Sequence, residues 1–264
     1  MKALLAQLAC RIGDVEGNTE RAINAIRSHP EVDIAVFPEL YLSGYTYRDL
    51  DKLARTVDSE ELTRIAAAAA EAETAVVIGF AERMSKGVAN SVACIDSDGT
   101  VAGVYRKTHL FGSEATAGFV EGEEQLIVEL AGRRAAPLIC FDIEFPEPGR
   151  LVTLAGADLL VTASANMDPF YIDHAVGAVA RAHENRLPHL YANLVGSGDG
   201  LTFVGASRSV APTGEVLVEG SRDQEELLVV PVAELGGFDP QTDYPRFVRP
   251  PRPVRVIEKE RATR

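Results

Sequence analysis

Four polar residues stand where short apolar runs end: Glu39 after Ile34-Ala35-Val36-Phe37, Lys107 after Val104-Tyr105, Cys140 after Leu138-Ile139, and Asn166 after Val161-Thr162-Ala163. In open α/β sheets ligands gather beyond strand ends, so side chains at such positions can converge on one site. The first three make a chemically complete set. A thiol can attack a carbonyl carbon, a carboxylate can take the thiol proton, and an ammonium with a backbone N–H can hold the oxyanion that forms. Pro146, placed to be the first residue of a helix, puts Cys140 at a strand-to-helix turn, and the positive end of that helix favours the thiolate. Asp142, Glu144 and Glu147 lie close by in sequence and oppose it, so a cation must come from elsewhere.

The elements that must position these groups alternate between strand and helix patterns. Leu4–Leu8 reads as a strand, Asn18 opens a helical pattern that stops before Pro30, and Asp33–Phe37 is a short buried strand. Ser59 is placed to cap a helix over Ser59–Glu73, with Ala75–Phe80 as the strand after it. Asn90–Ile95 and Val101–Tyr105 read as strands joined by the turn Asp96-Ser97-Asp98-Gly99. A Gly- and Glu-rich loop is expected over Phe111–Glu124. Leu126–Leu130 and Ala135–Cys140 then pair around Gly132-Arg133-Arg134. Helices are expected over Pro146–Gly156 and Asp173–Leu187, on either side of a strand at Leu159–Ala163. Leu190–Val195, Ser207–Val210, Glu215–Val218 and Leu227–Val230 are the late strands. The pattern predicts one α/β domain over residues 1–240 and a proline- and arginine-rich C-terminal arm over 241–264, lying on the body or on a partner subunit.

Composition narrows the partners. Apolar residues make up 46% and charged residues 25%, as in ordinary folded domains. The net charge of −13 argues against nucleic acid and against anionic membranes. The three cysteines, Cys10, Cys94 and Cys140, are widely spaced; they suit a reducing, cytoplasmic setting and show no zinc-site spacing. The apolar stretch Ala3–Cys10 is interrupted by Gln7 and lacks a small-residue cleavage site, so it reads as a first strand rather than a signal peptide. No apolar run is long enough to span a bilayer.

Three ordered blocks carry a family resemblance. They are Phe37-Pro38-Glu39-Leu40 with Ser43-Gly44-Tyr45, then Tyr105-Arg106-Lys107-Thr108-His109-Leu110-Phe111, then Cys140-Phe141-Asp142-Ile143-Glu144-Phe145-Pro146-Glu147. With supporting pieces such as Gly79-Phe80, Asn90-Ser91 and Ala192-Asn193, the sequence resembles the nitrilase, or carbon–nitrogen hydrolase, superfamily from Met1 to about Val230. The resemblance implies a four-layer α-β-β-α sandwich and a Glu-Lys-Cys triad falling on Glu39, Lys107 and Cys140. It implies a second glutamate, placed on Glu114, with Glu121, Glu123 and Glu124 competing for the role. It also implies pairing of subunits across their helices into a homodimer or larger homo-oligomer. The Phe141 N–H is the expected oxyanion donor and Asn166 a substrate-binding candidate.

Nitrilases proper and carbamoylases usually carry tryptophan beside the nucleophile, and this chain has none. The Cys140 block is more similar to that of amidases of small carboxamides. The expected activity is therefore hydrolysis of a small linear carboxamide to carboxylate and ammonia through a cysteine thioester, with no metal or organic cofactor required. The alternatives are a nitrile or N-carbamoyl amine substrate, acyl transfer to another amine, or a catalytically silent, partner-binding member of the fold.

Overall fold

The computed structural model describes residues 1–250. The elements in order are β1 (Lys2–Gln7), α1 (Val15–Arg27), β2 (Ile34–Val36), α2 (Leu50–Leu53), α3 (Glu60–Ala72), β3 (Ala75–Met84), β4 (Gly87–Ile95) and β5 (Val101–Arg106). They continue with α4 (Glu114–Ala117), β6 (Phe119–Val120), β7 (Val128–Leu130), β8 (Arg133–Ile139), α5 (Pro146–Leu154) and β9 (Leu159–Ser164). Then come α6 (Tyr171–Asn185), β10 (His189–Asn193), β11 (Val195–Gly198), β12 (Leu201–Val204), β13 (Arg208–Val210), β14 (Val216–Glu219) and β15 (Glu226–Pro231).

Two sheets form. One runs β15-β1-β2-β3-β4-β5, with β6 added beside β4; the other runs β14-β13-β10-β9-β8-β7. Each has parallel strands at its centre, β1-β2-β3 and β8-β9-β10, and antiparallel strands outside them. Side-chain alternation then sorts the core into layers. Leu4, Ala6, Val76 and Ile78 face the helices, packing with Ile23 and Ile26 of α1 and Leu62 and Ile65 of α3. Their sequence neighbours Ala3, Leu5, Ala75 and Val77 point the other way, into a buried layer shared with Ala135, Ile139, Val161, Ala163 and Leu190 of the second sheet. On the far face, Ala136 and Leu160 meet Val152 of α5, while Leu138 and Tyr191 meet Ala178 of α6. The order is helix, sheet, sheet, helix, a four-layer α-β-β-α sandwich.

Local signals set most element ends. The Ser59 side chain caps α3 by accepting from the Leu62 N–H, and Pro146 occupies the first turn of α5. Two stretches differ from the sequence expectation. The Phe111–Glu124 loop contains α4 and β6, elements of four and two residues whose length is below any periodicity signal. Leu190–Val195 is not one strand. The chain leaves the sheet after Asn193 and enters the separate β11–β12 hairpin, with Gly196 at φ +86°. Of the arm expected over 241–264, residues 251–264 lie outside the described residues. Its first part packs on the end of α6: the Arg186 guanidinium lies 4.1 Å from the Tyr244 ring centre and donates to the Thr242 carbonyl, and Phe238, just before the arm, has its ring centre 4.5 Å away.

Candidate active site

Glu39, Lys107, Glu114 and Cys140 come from four separate segments and meet between the two sheets' strand ends. Glu39 follows β2 on a segment stitched to both sheets: the Phe37 N–H donates to Val77 O (2.8 Å) and the Glu39 N–H to Ser164 O (3.3 Å). That segment crosses β3 so closely that a Cβ at Gly79 would overlap the Pro38 carbonyl and the Leu40 nitrogen, so only glycine fits there. Lys107 continues β5, its N–H donating to Asn90 O at 2.9 Å.

The charged groups form one buried cluster. Lys107 Nζ lies 2.7 Å from Glu39 Oε1 and 3.0 Å from Glu114, and all three side chains are fully buried. Asn90 Nδ2 ties the carboxylates together, donating to Glu39 Oε1 (2.7 Å) and Glu114 Oε1 (3.1 Å). Glu114 also accepts from the Phe111 N–H (2.7 Å) and the Tyr45 hydroxyl (3.3 Å). Burial alone would push the Lys107 ammonium toward its neutral form. Glu39 and Glu114 outweigh that and hold its pKa above the ordinary lysine value. Burial raises the Glu114 pKa against the opposing pull of Lys107. The buried Glu39 Oε2 has no hydrogen-bond partner among the described residues. Glu121, Glu123 and Glu124, the competitors of Glu114, are exposed.

Cys140 does not sit at the mouth of α5. A 3-10 turn over Cys140–Glu144 separates it from α5, and its own φ of +45° places a non-glycine residue in the left-handed region. Of the opposing influences expected on the thiol, those against the thiolate prevail. Burial pushes the Cys140 thiol well above its usual pKa, Glu39 adds to this, and the opposing pull of Lys107 is smaller. Two carboxylates around one ammonium leave the cluster negative, so a thiolate added there would meet repulsion that a helix end six residues away does not offset.

Asp142, opposite in role to the expectation that it crowds the thiol, binds the two catalytic segments to each other. Its Oδ1 accepts from the Thr108 hydroxyl and the His109 N–H, each at 3.0 Å, and lies 3.0 Å from His109 Nδ1. Its Oδ2 accepts from the Tyr105 hydroxyl (2.9 Å) and the Ile139 N–H (3.0 Å). Neither this clamp nor the bridging role of Asn90 was foreseen from the sequence. The available signal was a polar residue inside an otherwise apolar strand.

A small cavity of about 10 Å³, enough for one water, opens on Cys140 and is lined by Phe111, Phe141, Glu144, Asn166, Phe170 and His174 among others. Phe111 meets Phe141 and Phe170 edge-on at 5.3 and 5.5 Å between ring centres. Asn166 lines the wall, but its Nδ2 is engaged by the Phe170 carbonyl at 3.0 Å. A larger hollow of about 390 Å³ beside β5, lined by Arg106, Glu121, Glu123 and Glu124, contains none of the four clustered residues.

Residues 2–236 match the carbon-nitrogen hydrolase family, and the chain belongs to that family. It is 40% identical over 227 residues to an (R)-stereoselective amidase of a Pseudomonas species, covering 85% of this chain and 82% of that protein. A 2-oxoglutaramate amidase of Bacillus subtilis is 34% identical over 195 residues, covering 73% of this chain and 75% of that protein. Among solved structures, an amidase of the nitrilase superfamily from Nesterenkonia AN1 superposes with a TM-score of 0.84 at 29% identity, covering 94% of each chain. A mutant of that amidase carries the acetamide moiety of fluoroacetamide covalently at its active-site cysteine.

Proposed function

We propose that this protein is an amidase that hydrolyses small linear carboxamides to carboxylate and ammonia through a thioester on Cys140. The observation that carries the reading is Glu39. Its Oε1 is held by Lys107 and Asn90 while Oε2 is buried and unpartnered, which suits a proton acceptor facing a thiol that is protonated at rest. In this scheme Glu39 takes the Cys140 proton as sulfur bonds to the amide carbon. The oxyanion rests on the Lys107 ammonium and the Phe141 N–H, which lies in the first turn of a 3-10 helix, where N–H groups have no partner within the helix. Glu39 returns the proton to the leaving nitrogen, ammonia departs and the thioester remains. Glu39 then deprotonates water, whose attack releases the carboxylate, and the sulfur recovers its proton. Glu114 is the second carboxylate holding the Lys107 ammonium in place. The small aromatic cavity and the likeness to amidases support a short acyl group.

We infer further that the protein is cytoplasmic, from its three widely spaced cysteines, and that it is a homo-oligomer. No helix among the described residues is long and apolar enough to cross a membrane, and Leu151 and Leu154 of α5 and Ile172 and Val176 of α6 are each more than half exposed, as a subunit contact would need. The test is ammonia release from a panel of short amides and their matching nitriles, against Cys140→Ala. Turnover of amide at least tenfold above nitrile, with a quenched acyl adduct that Cys140→Ala lacks, is the expected result. Equal or faster nitrile turnover, or an adduct on Cys10 or Cys94, overturns it.

A further inference from the structure

Two ionisable residues lining the cavity, Glu144 and His174, have no part in the proposed reaction. Glu144 closes the 3-10 turn that begins at Cys140, lines the cavity on that thiol, and is the only Asp, Glu, Lys or Arg among its lining residues. The rest of the wall is apolar or already satisfied: Phe111, Phe141, Met167 and Phe170 surround it, and Asn166 donates to a backbone carbonyl. No lysine or arginine among the described residues pairs with Glu144. Its neighbour is His174, whose Nε2 lies 3.3 Å from Oε1 and whose side chain is 2% exposed. On its other side His174 Nδ1 lies 2.8 Å from the Tyr191 hydroxyl and 3.3 Å from Ser164 Oγ. The Tyr191 hydroxyl in turn donates to Ser164 Oγ at 3.1 Å, so His174 belongs to a buried hydrogen-bond chain.

We propose that Glu144 determines acyl specificity by binding an ammonium group on the substrate, so that the preferred substrates are short carboxamides bearing a protonated amine on the acyl chain. This rests on the amidase reading and narrows it. The physical reason is a matter of what replaces water at Glu144. Its side chain is 27% exposed, so water still reaches it when the cavity is empty. An alkyl acyl group would strip that water and return nothing, leaving a partly buried carboxylate short of donors. An ammonium at the same place returns a charge-assisted hydrogen bond. Sites built to bind a polar group discriminate strongly against the analogue lacking it, and even the weaker effect expected for a partly exposed carboxylate is about tenfold or more.

The test uses isosteric pairs in which an ammonium replaces a methyl group: 2-aminoacetamide with propanamide, 3-aminopropanamide with butanamide, and 4-aminobutanamide with pentanamide. Ammonia release gives kcat/KM for each at pH 7, where the amines are protonated, and the ratio within a pair is independent of the fraction of active enzyme. The expected result is a preference of about tenfold or more for the amine in at least one pair. In Glu144→Gln that preference falls to within about threefold, and Glu144→Asp retains part of it. Alkyl amides turned over as fast as their amine partners by the unaltered protein overturn the inference while leaving the amidase reading intact. So does a preference that survives Glu144→Gln, because it would then come from the general negative charge of the protein. If no amide of either kind releases ammonia, the amidase reading itself fails and takes this inference with it.

Discussion

Asp142→Asn is the substitution whose cost the structure lets one work out. The carboxylate is fully buried and both of its oxygens are acceptors, Oδ1 for the Thr108 hydroxyl and His109 N–H, Oδ2 for the Tyr105 hydroxyl and Ile139 N–H. An asparagine must put its NH2 where one of those oxygens stood. Whichever way it turns, that NH2 faces a backbone N–H, of His109 or of Ile139, and a backbone donor cannot reorient. The hydroxyl at the same oxygen can rotate to accept instead. The change therefore leaves one buried backbone donor unsatisfied, at about 1–3 kcal/mol, and converts the remaining charge-assisted bonds to weaker neutral ones. A loss of about 2–4 kcal/mol follows, read as a lower urea midpoint with an unchanged slope. Because the clamp joins the Lys107 segment to the Cys140 turn, kcat on a short amide should fall in the variant that remains folded. A destabilisation below about 0.5 kcal/mol would refute the argument, since it would mean that the Asp142 hydrogen bonds are not those described.

Four further outcomes are expected. Lys107→Met should lose about 100- to 1000-fold in kcat, the usual cost of one oxyanion donor, while near-normal turnover would remove Lys107 from the oxyanion site. Glu114→Gln should fold and turn over slowly, whereas Glu121→Gln, Glu123→Gln and Glu124→Gln, all at exposed positions, should match the unaltered protein; the reverse pattern would move the second glutamate. Because burial and Glu39 raise the Cys140 pKa, ultraviolet thiolate absorbance at pH 7 should be the same with and without Cys140→Ser, and a thiolate signal lost in that variant would contradict it. His109, whose pKa is raised by its hydrogen bond to Asp142, contributes stability that is complete below its ordinary pKa of about 6.5 and is lost as pH rises through the higher folded value. Unfolding free energy should therefore decline above about pH 6.5, and His109→Gln should flatten that decline.

The sequence by itself determined the alternation of strands and helices and the strand-end positions of Glu39, Lys107 and Cys140, while the layer order came only from the family resemblance. The first two depend on short-range rules. Apolar alternation places Ala3 and Leu5 on one face and Leu4 and Ala6 on the other, and Ser59 and Pro146 mark helix starts whatever the rest of the chain does. Tertiary structure decided everything that depends on which segments meet. Glu114 could not be separated from Glu121, Glu123 and Glu124 along a loop without period; what distinguishes it is the buried Lys107 ammonium 3.0 Å away. The same is true of Asp142, Asn90 and Glu144, whose partners lie 34, 51 and 30 residues distant, at Thr108, Glu39 and His174. The balance between helix end and carboxylates at the nucleophile, open in the sequence, was decided the same way. A helix end acts over one turn and can be read locally. Desolvation by two packed sheets, and a carboxylate delivered from β2, exist only once the chain has folded, and both push the Cys140 thiol toward its protonated form.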